Sequence, residues 1–400
     1  MMQSSLPTVD RKRRLFSARP SPGTLATIVV LLLIAAGTAY VAMTPHSYWD
    51  RFHGLTLAFA GTVYIAALVR GRLRDAMAVI ASLLLCLAAF EVYSITTYVT
   101  TIDINAPDHS VSRAPLGWGP GHPGVFHHKK VDSTGRVLLE VDYTIDEHLH
   151  RRVLSAADAP TVAFAGGSVM FGSGISDADT LPQAFADATA RRLHVVNLAF
   201  SGYGPQQTLR GLELGVFDDV ITQPKLFIVQ TGPAYIERTA CITADIDRAP
   251  RYELVDGQPV FRGKCIGRWP LPMQALVAFS SLYRVFVEPE LEGAQPAKID
   301  LFVAVMARTG ALVREKYGVP TAVLYLRDNA YMGRTGYTDD QLIQRLRDGG
   351  LVVIDGTLDM AAFPGQSLYI PGDGHPTGVA NRAWAALVKN TLRDIEANAH

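Results

Sequence analysis

The chain has 400 residues, and its 37 basic side chains are matched by 37 acidic ones, so its formal net charge is zero. That balance leaves no basic footprint and excludes a nucleic-acid partner as the organising function. The length accommodates a membrane anchor plus one sizeable domain, and the 48 % hydrophobic content is raised by the anchor rather than by an unusually large core.

A basic tail, residues 1–23, carries Arg11, Lys12, Arg13, Arg14 and Arg19. Residues 24–100 are expected to form a transmembrane region of three helices, at about 25–43, 55–69 and 76–99. The run Leu25 to Met43 is long enough, at about 1.5 Å per residue, to cross a hydrocarbon core of roughly 30 Å. Arg70, Arg72 and Arg74 separate the second run from the third, whereas Arg51 is the lone Lys or Arg between the first two. The positive-inside bias therefore puts the tail and the second loop in the cytoplasm and everything after Val99 outside it. This predicts a multi-pass protein of the inner membrane, with the lipid bilayer as a partner and a periplasmic domain. Two other readings compete: a cleaved signal sequence, which lacks a clear small-residue cleavage site, and a re-entrant middle segment, which the Arg70 to Arg74 cluster opposes. Glu91 reads either as an intramembrane carboxylate or as an interface residue.

Residues 101–158 read as a linker and small β lead-in. Leu116 to Gly121 is rich in turn residues, and Val137 to Ile145 alternates as an antiparallel strand does. The α/β rhythm of a second domain, 159–400, follows. Strands are expected at Val162 to Ala165, His194 to Leu198, Lys225 to Gln230, Thr321 to Leu326 and Val352 to Ile354. Helices are expected at Leu181 to Arg192, Gln206 to Leu214, Lys298 to Tyr317, Asp339 to Arg347 and Val379 to Ala397. Five strands alternating with helices imply a parallel five-stranded sheet in a three-layer α/β/α sandwich with right-handed crossovers. The stretch 231–297 is too long for an ordinary connection and is read as an insertion. It holds an Asp256-Gly257 hairpin and a helix near Met273 to Phe286. Cys241 and Cys265 flank the hairpin, so a disulfide would clip its base, the alternative being two unpaired thiols. Cys86 lies in the third apolar run and reads as a small hydrophobe. The cysteines are too dispersed for a metal site, and His127-His128 and His148 with His150 read as loop or strand-face residues.

Three short segments carry the chemistry. Ala165-Gly166-Gly167-Ser168-Val169 puts a serine on a glycine turn after a strand. Asn197-Leu198-Ala199-Phe200-Ser201-Gly202 follows the next strand, and Asp373-Gly374-His375-Pro376 supplies an imidazole. A serine hydroxyl becomes a nucleophile when a histidine takes its proton, and a carboxylate commonly orients that histidine. Singly, each segment has an ordinary reading; the last is also a turn before the C-terminal helix, with Thr377 as N-cap. Their joint order, each at the end of a strand, points to one site beyond the carboxyl edge of the sheet.

On these residues the stretch from Ala159 to Asn390 resembles the SGNH, or GDSL-type, esterase and acyltransferase superfamily, with a flavodoxin-like sheet. The resemblance implies a catalytic set of Ser168 as nucleophile, His375 as base and Asp373 as the orienting acid, with a backbone carbonyl as the other candidate for orienting the imidazole. It implies an oxyanion hole from the N–H groups of Ser168 and Gly202, and no cofactor. The chain departs from the family at three places. Gly167 stands where an Asp usually precedes the nucleophile, Gly232-Pro233-Ala234 replaces Gly-x-Asn, and Asp373 lies two residues before the histidine where the family has three. Gln206, Thr231 and Tyr235 are candidates to replace the missing asparagine donor. The implied function is a membrane-anchored extracytoplasmic serine esterase acting on O-acyl, especially acetyl, esters of carbohydrate or cell-envelope glycan. The alternatives are an O-acyltransferase served by a membrane acyl-donor protein, and a non-catalytic SGNH binding module.

Overall fold

A computed structural model describes residues 22–43, 48–98, 101–104, 110–243, 246–270, 274, 280–287, 290, 296–333 and 335–398. The basic tail of the sequence analysis lies outside them. The chain divides into two compact units, one up to Tyr93 and one from Ser94 onward.

The first unit is helical: α1 (Pro22–Met43), α2 (Tyr48–Leu68) and α3 (Arg72–Tyr98), the last running into the second unit. Gly61 of α2 leaves room for Ile34 of α1, where a Cβ would stand 2.9 Å from the isoleucine Cγ2. Leu83, Leu85 and Phe90 of α3 are exposed, unlike the apolar residues of a soluble core helix. Trp49–Leu68 and Arg72–Thr97 are long and apolar enough to cross a membrane, whereas the apolar stretch Leu25–Tyr40 is shorter. Length and composition thus support two spans where the sequence reading had three. Both α2 and α3 also begin before the apolar runs at Leu55 and Ala76, because a helix propagates through flanking polar residues at little cost.

The second unit opens with an antiparallel sheet, β1 (Thr101–Ile104), β4 (Gly124–Asp132) and β5 (Val137–Ile145), in the order β1-β4-β5. Between them β2 (Val111–Arg113) and β3 (Gly117–Gly119) pair as a separate ribbon. Asp103 of β1 faces Lys130 of β4 across the ladder, and Lys130 faces Leu139 of β5. The Leu116 to Gly121 segment, expected to be a linker, is instead β3 and its flanks, with Leu116 and Trp118 buried. Glycine and proline read as turn signals, yet here they let the backbone pass close to Arg248 and Tyr203.

The main sheet comprises β6 (Thr161–Ala165), β7 (His194–Asn197), β8 (Pro224–Thr231), β11 (Thr321–Tyr325) and β12 (Val352–Asp355), all parallel, in the order β12-β11-β8-β6-β7. Val162 to Ala165, Leu226 to Val229 and Ala322 to Tyr325 are almost wholly buried, as strands covered on both faces must be. The helices are α4 (Ser168–Phe171), α5 (Leu181–Ala188), α6 (Pro205–Glu213), α7 (Ala234–Thr239), α8 (Pro296–Tyr317), α9 (Asn329–Met332), α10 (Asp339–Asp348) and α11 (Gly378–Asn398). Helix α5 packs with α11, and α8 with α6 and α10. Right-handed crossovers in this strand order put those two groups on opposite faces, giving the three-layer sandwich. The winding reverses at β6, between β7 and β8, which makes the carboxyl ends of β6 and β8 the place for a ligand crevice.

One element end differs from expectation by several residues, and the insertion hairpin forms where it was expected. Helix α5 stops at Ala188 rather than Arg192, since Ala190 and Arg191 take positive φ (54° and 55°) and Arg191 N–H donates to Ala186 O at 2.7 Å, closing the helix without a glycine. The insertion hairpin is β9 (Pro250–Val255) and β10 (Gln258–Lys264), with Val255 paired to Gln258 across the Asp256-Gly257 turn. Of the helix expected near Met273 to Phe286, Met273 and residues 275–279 lie outside the described residues, and Tyr283–Val287 form a π-helical turn.

Cys241 and Cys265 are disulfide-bonded, with Cα atoms 5.2 Å apart and a separation of 24 positions in sequence. Replacing both with alanine should lower the unfolding free energy by about 3 kcal/mol, the chain-entropy value for a loop of this length. Urea denaturation of the wild type and the double variant under non-reducing conditions measures this difference.

Candidate active site

The serine turn grows directly from β6. Ser168 opens the single turn of α4, where Gly167 O accepts from Phe171 N–H and Ser168 O accepts from Gly172 and Ser173 N–H, each at 2.9 Å. A side chain at position 167 would collide with its surroundings: a Cβ there would lie 2.6 Å from Tyr235 Oη, 2.8 Å from the Tyr203 carbonyl and 3.2 Å from Arg238 Nη1. This crowding accounts for glycine where the family has aspartate.

Carbonyls after the turn converge on Arg151. Its Nη1 donates to Phe171 O at 3.1 Å and Gly172 O at 2.5 Å, its Nη2 to Ile175 O at 2.7 Å, and its Nε to Asp177 at 2.9 Å. Asn197, at the end of β7, donates from Nδ2 to Met170 O at 3.1 Å and accepts Ala199 N–H at 3.2 Å, so it ties the second segment to the first. In that segment Gly202 has φ 81°, and a Cβ on it would meet the Trp118 ring at 3.1 Å. Trp118 Nε1 donates to Ser201 O at 2.8 Å, and the Ser173 and Ser201 hydroxyls lie 2.6 Å apart. The N–H groups of Ser168 and Gly202 donate in no hydrogen bond among the described residues.

The histidine loop is a tight turn in which Asp373 and Gly374 N–H both donate to Ile370 O and Ile370 N–H donates to His375 O at 2.8 Å. This turn makes the two-residue spacing work: Asp373 Oδ1 lies 2.5 Å from His375 Nδ1 and also accepts the His375 backbone N–H at 3.3 Å. Asp373 Oδ2 accepts from Lys130 Nζ at 2.8 Å, and the carboxylate is 1 % exposed. Burial opposes its ionisation, but the hydrogen bonds from His375 and Lys130 prevail and hold the carboxyl well below the usual carboxylate range. The loop after the nucleophile adjoins this pair, since a Cβ on Gly174 would stand 3.7 Å from Asp373 Oδ1. Among the described residues Ser168 Oγ and His375 make no hydrogen bond to each other.

Of the three candidates for the asparagine's role, two are engaged inside the protein. The Tyr235 hydroxyl donates to Gln230 Oε1 at 2.7 Å and accepts the Gly167 N–H, while Gln206 Nε2 donates to Arg238 O at 2.9 Å. Thr231 Oγ1, at the carboxyl end of β8, is buried with no partner among the described residues. Thr377 Oγ1 accepts no backbone N–H of α11 among the described residues, and its hydroxyl donates to Ser367 O at 2.7 Å. His127 lies against Asp142 and Glu140, His128 against Tyr143 and Asp103, and His148 against Asp219. Burial pushes the His150 imidazole down to about 4. Among the described residues no three His, Cys, Asp or Glu side chains are placed to hold a metal ion.

Sequence reasoning passed over Lys130, Arg151, Asn197 and Trp118. Asn197 stood inside a quoted segment, and its place at a strand end was a usable signal. The partners of the other three are remote in sequence.

The fold and site define a three-layer α/β protein with a serine turn at the switch strand and an Asp-His pair on the loop before the last helix. No family model and no curated protein matches the sequence. Among solved structures the chain is similar to a member of the lipolytic protein G-D-S-L family from Veillonella parvula, at 13 % identity and TM-score 0.35, covering 57 % of this chain and 96 % of that one. It is similar to the psychrotrophic esterase EstA from Pseudoalteromonas sp., at 13 % identity and TM-score 0.34, covering 60 % and 99 %. A carbohydrate acetylesterase family member from Sinorhizobium meliloti matches at 14 % identity and TM-score 0.32, covering 58 % and 97 %.

Two measurements check this geometry. Gly167→Asp should destabilise the domain by about 1 to 3 kcal/mol through overpacking against Tyr235 and the Tyr203 carbonyl, read as a lower thermal midpoint. Because the folded-state pKa of Asp373 is depressed, its ionisation stabilises the fold above the unfolded carboxyl value of about 4, and that stabilisation is lost as pH falls below it. Urea midpoints from pH 3 to 7 should therefore fall less steeply on acidification in Asp373→Asn than in the wild type.

Proposed function

We propose that the protein is a serine esterase of the SGNH type. The observation that carries this reading is the buried Asp373 carboxylate 2.5 Å from His375 Nδ1, on a loop beside the segment that follows Ser168. An imidazole so held presents Nε2 as a base. Ser168 Oγ attacks an ester carbonyl carbon, His375 takes the hydroxyl proton, and the tetrahedral oxyanion accepts the N–H groups of Ser168 and Gly202. Collapse expels the alcohol, which takes the proton from His375, and water then repeats the sequence to release the acid and free the serine. Each oxyanion donor is worth roughly 2.7 to 4 kcal/mol, so a third donor in place of the family asparagine would matter. Thr231, whose buried hydroxyl is uncommitted, is the candidate best placed for it.

The substrates proposed are O-acyl, chiefly acetyl, esters of carbohydrate or cell-envelope glycan. The domain is proposed to lie outside the cytoplasm, anchored by the N-terminal helices. The distribution of arginines and the disulfide, which an oxidising compartment favours, support that placement. A glycan hydroxyl in place of water would make the same site an acyltransferase, its acyl group delivered by a membrane partner. A binding module without turnover is the reading favoured by Ala234 at the asparagine position.

The full chain in detergent should release p-nitrophenol from p-nitrophenyl acetate, and acetate from acetylated glycans. Ser168→Ala and His375→Ala should each lower turnover at least about 10³-fold, and a fluorophosphonate should label the wild type at Ser168. Folded wild type that neither turns over nor labels would establish the binding module instead.

A further inference from the structure

The antiparallel lead-in sheet sends a cation into this site. Lys130, on β4, bonds Asp373 Oδ2 at 2.8 Å across 243 residues of chain, and the pair is largely shielded, with side-chain exposures of 20 % and 1 %. The two carboxylate oxygens have separate duties: Oδ1 faces His375, and Oδ2 would be a buried, unpaired charge without the lysine, an arrangement that costs a protein heavily. Lys130 is itself aligned by its strand, opposite Asp103 on β1 and Leu139 on β5. The other ionisable groups around the pair are Asp103, which bonds His128 Nε2 at 2.9 Å, His128 itself, Tyr143 on β5, and Arg136 in the β4–β5 turn, ion-paired to Asp132. Asp103 and Asp373 flank the lysine from two sides, so its charge is shared between a strand of the lead-in sheet and the histidine loop.

We infer that Lys130 is a positioning residue for the proposed base: its ammonium fixes the rotation of the Asp373 carboxylate, so that Oδ1 meets His375 Nδ1, and it places a positive charge behind that carboxylate. This rests on the esterase reading above. A cation beside the carboxylate offsets part of the attraction that Asp373 exerts on an imidazolium. Loss of that charge therefore changes how turnover depends on pH as well as how the ring is oriented. A purely structural lysine would affect stability but leave the pH dependence of turnover where it was.

The test is kcat/KM for p-nitrophenyl acetate between pH 5 and 9, on the full chain in detergent, for wild type, Lys130→Met, Lys130→Gln, Lys130→Arg and Ser168→Ala. Lys130→Gln keeps a hydrogen-bond donor and removes the charge, so it carries the comparison even where the methionine variant fails to fold. Lys130→Met and Lys130→Gln should lose about tenfold at neutral pH and shift the acid limb upward by about one pH unit, the scale of a lost neighbouring charge. Lys130→Arg should keep both rate and limb. If the folded glutamine variant gives the wild-type profile while Ser168→Ala is inactive, the role of Lys130 is overturned and the esterase reading stands. If Ser168→Ala keeps wild-type turnover, the esterase reading itself falls.

Discussion

A buried guanidinium holds this domain together. Arg151 has no exposed side-chain surface, lies 4.3 Å from the centre of the Tyr143 ring and 5.0 Å from that of Phe171, and gives its protons to one carboxylate and three carbonyls. Its backbone also bridges Ile145 at the end of β5 and Asn197 at the end of β7, joining the lead-in sheet to the main one. A charge can be buried this deeply only when nearly all its donors are satisfied. Arg151 therefore fixes where the carbonyls of Phe171, Gly172 and Ile175 must point, and with them the path of the chain after Ser168.

That path explains why the site sits where it does. The parallel sheet supplies a rigid edge, and the reversal of winding at β6 opens a crevice there. The loops that enter the crevice are cross-braced: Trp118 holds the carbonyl of Ser201, Asn197 holds that of Met170, and Arg238 Nη1 reaches the Tyr203 carbonyl at 3.2 Å. The N–H groups of Ser168 and Gly202 are not used for bracing among the described residues, and they are the donors proposed for the oxyanion. Preorganised donors of this kind need no rearrangement when charge develops on a bound ester.

The parts legible in the sequence are those with local signals. The strand at Val162 to Ala165 is an unbroken apolar run because both faces are covered, and β5 shows the alternation of a strand with one face inward. Ser168, Gly202 and His375 stood out because glycine and proline punctuate the ends of strands. What escaped is what long-range contact decides. Nothing around Lys130 or Arg151 distinguishes them from solvated charges, and Trp118 lay among turn residues although its ring covers Gly202. The spacing of Asp373 looked irregular until the turn at Ile370 showed how an acid two residues from a histidine can reach its ring. The end of α5 was missed for a similar reason, since Ala190 and Arg191 adopt conformations their side chains do not advertise.

The separation of Lys130 from Asp373 along the chain also bears on how the molecule is made. Closing so long a loop carries an entropic cost that only later contacts repay, which places such pairings late in folding. During synthesis the lysine emerges long before the aspartate exists, and the histidine loop is among the last segments to leave the ribosome. A chain interrupted between Ser168 and Asp373 has the serine turn but no acid to pair with a histidine. The proposed chemistry and the pairing of Lys130 with Asp373 thus depend on the same late segment.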